Sequence, residues 1–292
     1  MNIFLTGGTG FIGSHFLAIA LSEGHTVFAQ RRSELSRPKI FLKHQPFWIN
    51  KSLDQISSRD LKSIDIVIHL AAHTGNVPYD TLANCLQWNL QAPLALFNKA
   101  RDVGVKNFLV AGSCFEYGKS GELYDAIPTT ASLMPTNSYA ASKAAASMCF
   151  LQWAEENSLV LDILRIFHVF GEGELPKRFW PSLRDAALSG SDFSMTHGEQ
   201  IRDFIPVDIC AHMFLDHANW LVSANNPTSP KVYNLSSGLP MSIRAFAEYW
   251  WTKFHARGQL KFGSVPYRPN EIMSYIPGDN LLTANPSYLS GI

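Results

Sequence analysis

What most constrains this chain stands within its first thirteen residues. Ile3-Phe4-Leu5-Thr6 reads as a short apolar strand and Gly7-Gly8-Thr9-Gly10 as a turn. From Phe11 to Glu23 the apolar residues fall at helical spacing, and Gly24 ends the run as a C-cap. Thr26-Val27-Phe28-Ala29 is then the next strand. Strand, tight turn, helix and strand in this order make a βαβ unit and commit the chain to a parallel sheet. Gly8, Gly10 and Gly13 stand at G-x-G-x-x-G spacing. In such a turn one glycine bends the chain, one lets the backbone approach a pyrophosphate, and one lets helix and strand pack closely. The phosphates then meet the free N–H groups and positive end of the helix. A lone pattern of this kind is also met in ordinary glycine turns. Its place directly after a strand and at the start of a helix favours a dinucleotide, with Gly7, Gly10, Phe11, Ile12 and Gly13 as the expected contacts.

The rest of the chain extends the pattern. Residues 64–70 and 107–111 are apolar with almost no alternation, as in strands buried on both faces. A helix is predicted over about 82–103 and a long, alanine-rich one over 138–156, capped by Asn137 or Ser138. Residues 159–167 form another strand. Beyond Gly171, Pro, Gly and aromatic residues increase, and 225–230 (Asn-Asn-Pro-Thr-Ser-Pro) is a loop. The fold class is therefore α/β, a Rossmann-type doubly wound parallel sheet with a smaller C-terminal substrate-binding lobe. Residues 1–170 form the dinucleotide-binding domain, with 203–237 returning to it, and 171–292 form mainly the second lobe.

Composition narrows the function. With 46% apolar residues among 292 the chain can bury a sizeable core. Its 24 basic and 24 acidic residues cancel, so nothing suggests a nucleic-acid or membrane-surface partner. Cys85, Cys114, Cys149 and Cys210 show no CxxC pair and no zinc spacing, and the histidines form no metal cluster, so free thiols and no metal are expected. Met1 leads straight into the first strand and no apolar run approaches the ~20 residues of a membrane span. A cytoplasmic protein is expected.

Two sets of residues carry the chemistry. At the end of the second strand, where an NAD site usually places an acid for the ribose 2′-hydroxyl, stand Gln30, Arg31, Arg32 and Ser33. Two guanidinium groups suit a 2′-phosphate, which favours NADP(H) over NAD(H); the alternative is that both are solvated surface residues. Tyr139 and Lys143 stand at i and i+4 on one helix face, where an ammonium would lower the Tyr pKa and make the phenol a usable acid/base. Such a pair alone is a common accident. Ser113, just past the strand at 107–111, strengthens it, because a parallel sheet presents its strand ends to one crevice.

Gly7-Gly8-Thr9-Gly10-Phe11-Ile12-Gly13, His69-Leu70-Ala71-Ala72, Asn89, Ser113 and Tyr139-x-x-x-Lys143 together resemble the extended short-chain dehydrogenase/reductase family. The stretches 165–171 (Arg-Ile-Phe-His-Val-Phe-Gly), 198–208 and 266–273 resemble its branch acting on nucleotide-diphosphate sugars. The resemblance implies roles. Ser113 hydrogen-bonds the reacting oxygen, Tyr139 transfers the proton, and Lys143 holds the nicotinamide ribose. Leu70, Ala71, Ala72, Asn89, Ile166 and Val169 lie along the cofactor. Arg202 and Arg268 grip the substrate diphosphate, Glu271 meets the nucleotide ribose, and His73, Cys114, Phe115 and His168 face the sugar. It also implies a two-fold homodimer through the helices at 82–103 and 138–156, whose apolar residues include Trp88, Met148, Phe150 and Trp153.

Departures from the pattern inform the choice of reaction. The dehydratases of the family carry an acid pair directly after the catalytic Ser/Thr, and here Cys114 and Phe115 stand there. His168 replaces an Asn found in many relatives, as a phosphate ligand, a second acid or a structural residue. The Asp that usually meets the adenine is missing from residues 49–53, and the terminal helix of many relatives is missing before Ile292. His69 is expected in the core. Reduction of the 4-keto group of a dTDP- or CDP-linked 4-keto-6-deoxy sugar is the leading expectation. A nucleotide-sugar 4-epimerase with tightly bound NAD is the alternative, and a non-catalytic dinucleotide sensor a third.

Overall fold

The computed structural model describes residues 1–292 except 76, 224–228, 269, 270 and 279–292. Most of the expected loop at 225–230, Pro269, Asn270 and the chain end at Ile292 thus lie outside the described residues. In chain order the elements begin with β1 (Asn2–Thr6), α1 (Phe11–Ser22), β2 (Thr26–Arg31), β3 (Phe47–Asn50) and β4 (Ile66–His69). Helices α2 (Leu82–Leu86) and α3 (Ala92–Asp102), strand β5 (Asn107–Ser113), α4 (Ser138–Glu156) and β6 (Val160–Ile166) follow. The remainder holds β7 (His168–Phe170), α5 (Phe179–Ser189), β8 (Phe193–Ser194), β9 (Ile201–Pro206), α6 (Val207–Ser223), β10 (Lys231–Leu235), β11 (Pro240–Ser242), α7 (Ile243–Lys253), β12 (Leu260–Lys261) and β13 (Ser274–Tyr275).

Seven strands form one parallel sheet in the order β10-β6-β5-β4-β1-β2-β3. Successive side chains point to opposite faces, and both faces are covered. Ile3, Leu5, Leu109 and Ala111 pack with Phe16, Leu17 and Phe214 of α1 and α6 on one side. Phe4, Phe108, Val110, Leu161 and Ile163 pack with Phe97, Phe150 and Trp153 of α3 and α4 on the other. That double burial is why these strands read as unbroken apolar runs. The strand order reverses between β4 and β1, so the carboxyl ends of β1, β4, β5 and β6 open into one crevice.

The predicted helix over 82–103 is present with a defect. A π-helical turn, Gln87–Gln91, separates α2 from α3, and Pro93 follows at the start of α3. Proline lacks an N–H and its ring crowds the carbonyl four residues back, which the wider π turn relieves. Asn137 caps α4, its side chain accepting from the Ala140 N–H at 2.9 Å. Phe150 and Trp153, expected at a subunit interface, belong instead to the core of this chain, 1% and 8% exposed. Apolar residues on several sides of α4 reflect a helix wedged into the sheet. Met148 and Trp88 do stand at the surface.

Beyond β6 the chain builds a smaller layer. Strands β7, β9, β11 and β13 form a second sheet centred on β9. Phe170, Trp180, Phe204, Phe246 and Trp250 fill the space beneath it, with Phe204 and Phe246 stacked at 4.0 Å. Asp203 locks this layer to the main sheet: its carboxylate accepts from the Ser237 N–H at 2.6 Å and the Gly238 N–H at 2.8 Å, just past β10.

Candidate active site

At Gly7 and Gly13 the backbone leaves no room for a side chain. Gly7 adopts φ +77°, and a Cβ there would lie 2.6 Å from the Ala71 nitrogen. A Cβ on Gly13 would lie 2.1 Å from the Gly7 carbonyl oxygen, so α1 can enter at this angle only with glycine. Gly10 is the N-cap and offers no side-chain cap, leaving the first-turn N–H groups for another acceptor. Phe11 and Ile12 from this turn line a cleft of about 210 Å³. The cleft continues past Ser113, Phe115 and Tyr139 to Ile166 and Val169. Thr6 Oγ1 joins the ends of β1 and β4, hydrogen-bonding His69 Nδ1 at 2.7 Å and accepting the Ala71 N–H at 3.4 Å. His69 is buried, as expected, and burial first, then the Lys143 charge, holds its ring at about 3, neutral near pH 7.

Helix α4 and strand β5 bring the catalytic candidates together. Ser113 and Tyr139 both line the cleft and are nearly buried, 8% and 9% exposed. Lys143, one turn on, is buried and donates to the Ala111 carbonyl at 2.6 Å. The expectation that Lys143 lowers the Tyr139 pKa is corrected. The phenol is pushed above its ordinary value by burial, and by Glu116, Cys114 and Tyr79, against the opposing effect of the Ser113 hydroxyl. Burial likewise lowers Lys143. In the protein by itself desolvation outweighs the ammonium, which is turned to a backbone carbonyl.

A loop after β4 lies across Tyr139. A Cβ on Gly75 would lie 3.7 Å from the phenol ring, and the Tyr79 ring stacks parallel to that of Tyr139 at 6.2 Å. Asn89, from the π turn, holds this loop: its Oδ1 accepts the His73 N–H at 2.7 Å, and its Nδ2 donates to the His73 carbonyl at 3.3 Å and to Ser142 Oγ at 2.9 Å. Asn89 thus braces the cleft wall from behind. The His73 ring is paired with Asp80 at 2.8 Å. Leu70 and Ala71 form the backbone wall against Gly7, and Ala72 is exposed.

The other expected site residues are spread more widely. Arg31 is 8% exposed, with its guanidinium 4.5 Å over the Trp48 ring and Nε donating to Asn50 Oδ1 at 2.6 Å; Arg32 is exposed. Arg202 is tied to its own neighbourhood, bonded to Glu271 at 3.0 Å and to the Ile272 carbonyl at 2.7 Å. Arg268 is exposed. Burial pushes the Cys114 thiol up to about 12, so it stays protonated. The His168 ring sits between Phe115 and Phe204 with Nδ1 buried and unpartnered. Burial, with Arg202 and Arg178, holds it at about 3, so it is neutral near pH 7. Three cleft residues had no signal of their own in the sequence: Glu174, Leu175 and Arg178, from the turn after β7. Glu174, whose carboxyl burial pushes up, pairs with Arg178 at 3.4 Å.

Comparison with known proteins agrees with this arrangement. CDP-abequose synthase of Salmonella muenchen is 25% identical over 97% of this chain and 90% of its own length. The probable UDP-arabinose 4-epimerase 3 of Arabidopsis thaliana is 26% identical over 92% of this chain and 72% of its own. Among solved structures, a UDP-N-acetylglucosamine 4-epimerase from Methanobrevibacter ruminantium, in complex with UDP-N-acetylmuramic acid, superposes with a TM-score of 0.83 at 25% identity, covering 98% of this chain and 91% of that one. The profile of the NAD dependent epimerase/dehydratase family matches residues 3–236, which contain the glycine turn, Ser113, Tyr139 and Lys143. On that match the chain belongs to the NAD dependent epimerase/dehydratase family.

Proposed function

We propose that this protein reduces the 4-keto group of a nucleotide-diphosphate 4-keto-6-deoxy sugar, dTDP- or CDP-linked, with NADP(H) as the preferred cofactor. The observation that carries the reading is the Ser113–Tyr139 pair at the floor of a cleft that begins at the glycine turn. The crowded glycine turn and the uncapped end of α1 fit a dinucleotide pyrophosphate. Bound there, the nicotinamide supplies the hydride. Tyr139 gives a proton to the substrate oxygen as charge develops on it, Ser113 steadies that oxygen, and Lys143 places positive charge behind the phenol. Residues 1–170 with 203–237 carry the cofactor, and the remainder receives the sugar nucleotide.

Two observations support this reading. Positions 114 and 115, after Ser113, hold a protonated thiol and a phenyl ring, neither of which eliminates water. Arg31, over the Trp48 ring at the end of β2, offers a cation for a 2′-phosphate. The similarity to CDP-abequose synthase supports a CDP-linked substrate. The second reading, a nucleotide-sugar 4-epimerase that retains NAD, draws on the similarity to the two epimerases. The test is binding to a panel of CDP-, dTDP-, GDP- and UDP-sugars in the presence of NADPH. Preference for CDP or dTDP with net cofactor oxidation supports the reductase. Inversion of a saturated UDP-sugar without net oxidation supports the epimerase.

A further inference from the structure

One buried charge at the site has no part in the chemistry just described. Glu116, three residues beyond Ser113, is 0% exposed. Its Oε1 accepts the Ser113 backbone N–H at 2.8 Å, and its Oε2 accepts the Ser147 hydroxyl and the Arg165 Nε, each at 2.8 Å. Ser147 lies one helical turn beyond Lys143 and two beyond Tyr139, on the same face of α4. Arg165 pairs with Gly112 in the β5–β6 register, spreads over the Tyr117 ring at 4.6 Å and donates to the Thr129 carbonyl at 3.1 Å. A Cβ on Gly112 would lie 3.0 Å from Glu116 Oε1, so the glycine makes room for the carboxylate.

We propose that Glu116 is a positioning residue of the active site: its carboxylate fixes the catalytic end of β5 to α4 and β6, and sets the charge beneath Tyr139 and Lys143. Ser113 and Tyr139 reach the cleft from β5 and α4, and this one group bonds to both elements and to the neighbouring β6. The charges bearing on the site agree. Tyr139 is faced by Glu116, Cys114 and Tyr79 besides Ser113; Lys143 is faced by Glu116 and His69. Glu116 opposes the tyrosinate and favours the protonated lysine. Arg165 balances Glu116 from the far side, over Tyr117. An acid at this position therefore keeps Tyr139 protonated and Lys143 charged, the states a proton donor needs. The proposal rests on Tyr139 being that donor.

The test is tyrosinate absorbance against pH for Glu116→Gln with NADP+ bound, each trace subtracted by the same protein carrying Tyr139→Phe. Glutamine keeps the size and one acceptor oxygen and removes the charge. The midpoint for Tyr139 is expected to fall by about one pH unit. In reductive turnover kcat falls at least tenfold with KM little changed, and the alkaline limb of the profile moves down in step. Glu116→Asp, which keeps the charge, holds the midpoint near wild type while kcat falls. If Glu116→Gln does not fold, Glu116→Gln with Arg165→Met leaves no unpaired charge and is read the same way, with a smaller shift in the same direction. A folded variant whose midpoint does not move overturns the proposal and leaves Glu116 a packing residue. A shifted midpoint in a protein that turns over no keto sugar supports Glu116 and rejects the substrate instead.

Discussion

Replacing Arg31 with Met separates the two nicotinamide cofactors most cleanly. In the structure Nε is committed to Asn50 Oδ1 at 2.6 Å and the guanidinium lies 4.5 Å over Trp48. A 2′-phosphate would take the Nη donors. Methionine keeps the stem against Trp48 and removes only the charge and donors. Losing charge-assisted hydrogen bonds costs about 1.5–3 kcal/mol, and each 1.4 kcal/mol is about tenfold. NADPH affinity should therefore fall by roughly 10- to 150-fold. NADH, with no phosphate there, should change by less than about threefold, because only the cation–π contact and the Asn50 bond are lost. Those losses belong to the fold and cost about 1 kcal/mol, a drop of a few degrees in Tm. Titrating the fluorescence of each reduced cofactor on wild type and variant gives all four dissociation constants. An equal loss for both cofactors, or a wild type that binds NADH more tightly, refutes the reasoning.

Two further outcomes are expected. His69 is buried and held at about 3 against an ordinary value of 6.5. The unfolded chain thus binds a proton that the folded one refuses, so this residue makes stability rise by about 1.4 kcal/mol per pH unit between those values and stay flat above them; His69→Asn should flatten the pH dependence of urea midpoints between pH 4.5 and 6.5, and an unchanged slope counts against it. Met148 on α4 is 63% exposed and Leu82 on α2 48% exposed. If these helices pair two copies, as expected, light scattering gives a dimer mass for wild type and a monomer for Met148→Glu; a monomeric wild type at micromolar concentration ends that idea.

The sequence was most informative where backbone demands are local. The glycine turn, the apolar strands and the Asn137 cap declare themselves because spacing and residue type decide them. Long-range burial is what a single sequence hides. Phe150 and Trp153 look like interface residues until the sheet they pack against is in place. The Tyr139–Lys143 spacing suggested a lowered phenol, but depth in the core reverses the sign. Glu116 was legible only as one acid among small and apolar residues; its partners Ser147 and Arg165 lie 31 and 49 residues away. Arg202 and Glu271, assigned to a ligand from sequence, meet each other across 69 residues. Asp203, within the stretch 198–208 that resembles the sugar-nucleotide branch, holds backbone beyond β10.

The central claim is that Tyr139 donates the proton in a net reduction. The measurement that bears on it most directly follows NADPH absorbance with a CDP- or dTDP-4-keto-6-deoxyhexose, for wild type and Tyr139→Phe, with cofactor binding measured alongside. The account predicts one NADPH oxidised per sugar reduced at C4. It also predicts a variant that binds NADPH as wild type does and turns over about 100-fold or more slowly. Full activity in Tyr139→Phe, or inversion at C4 with no NADPH consumed, would contradict it.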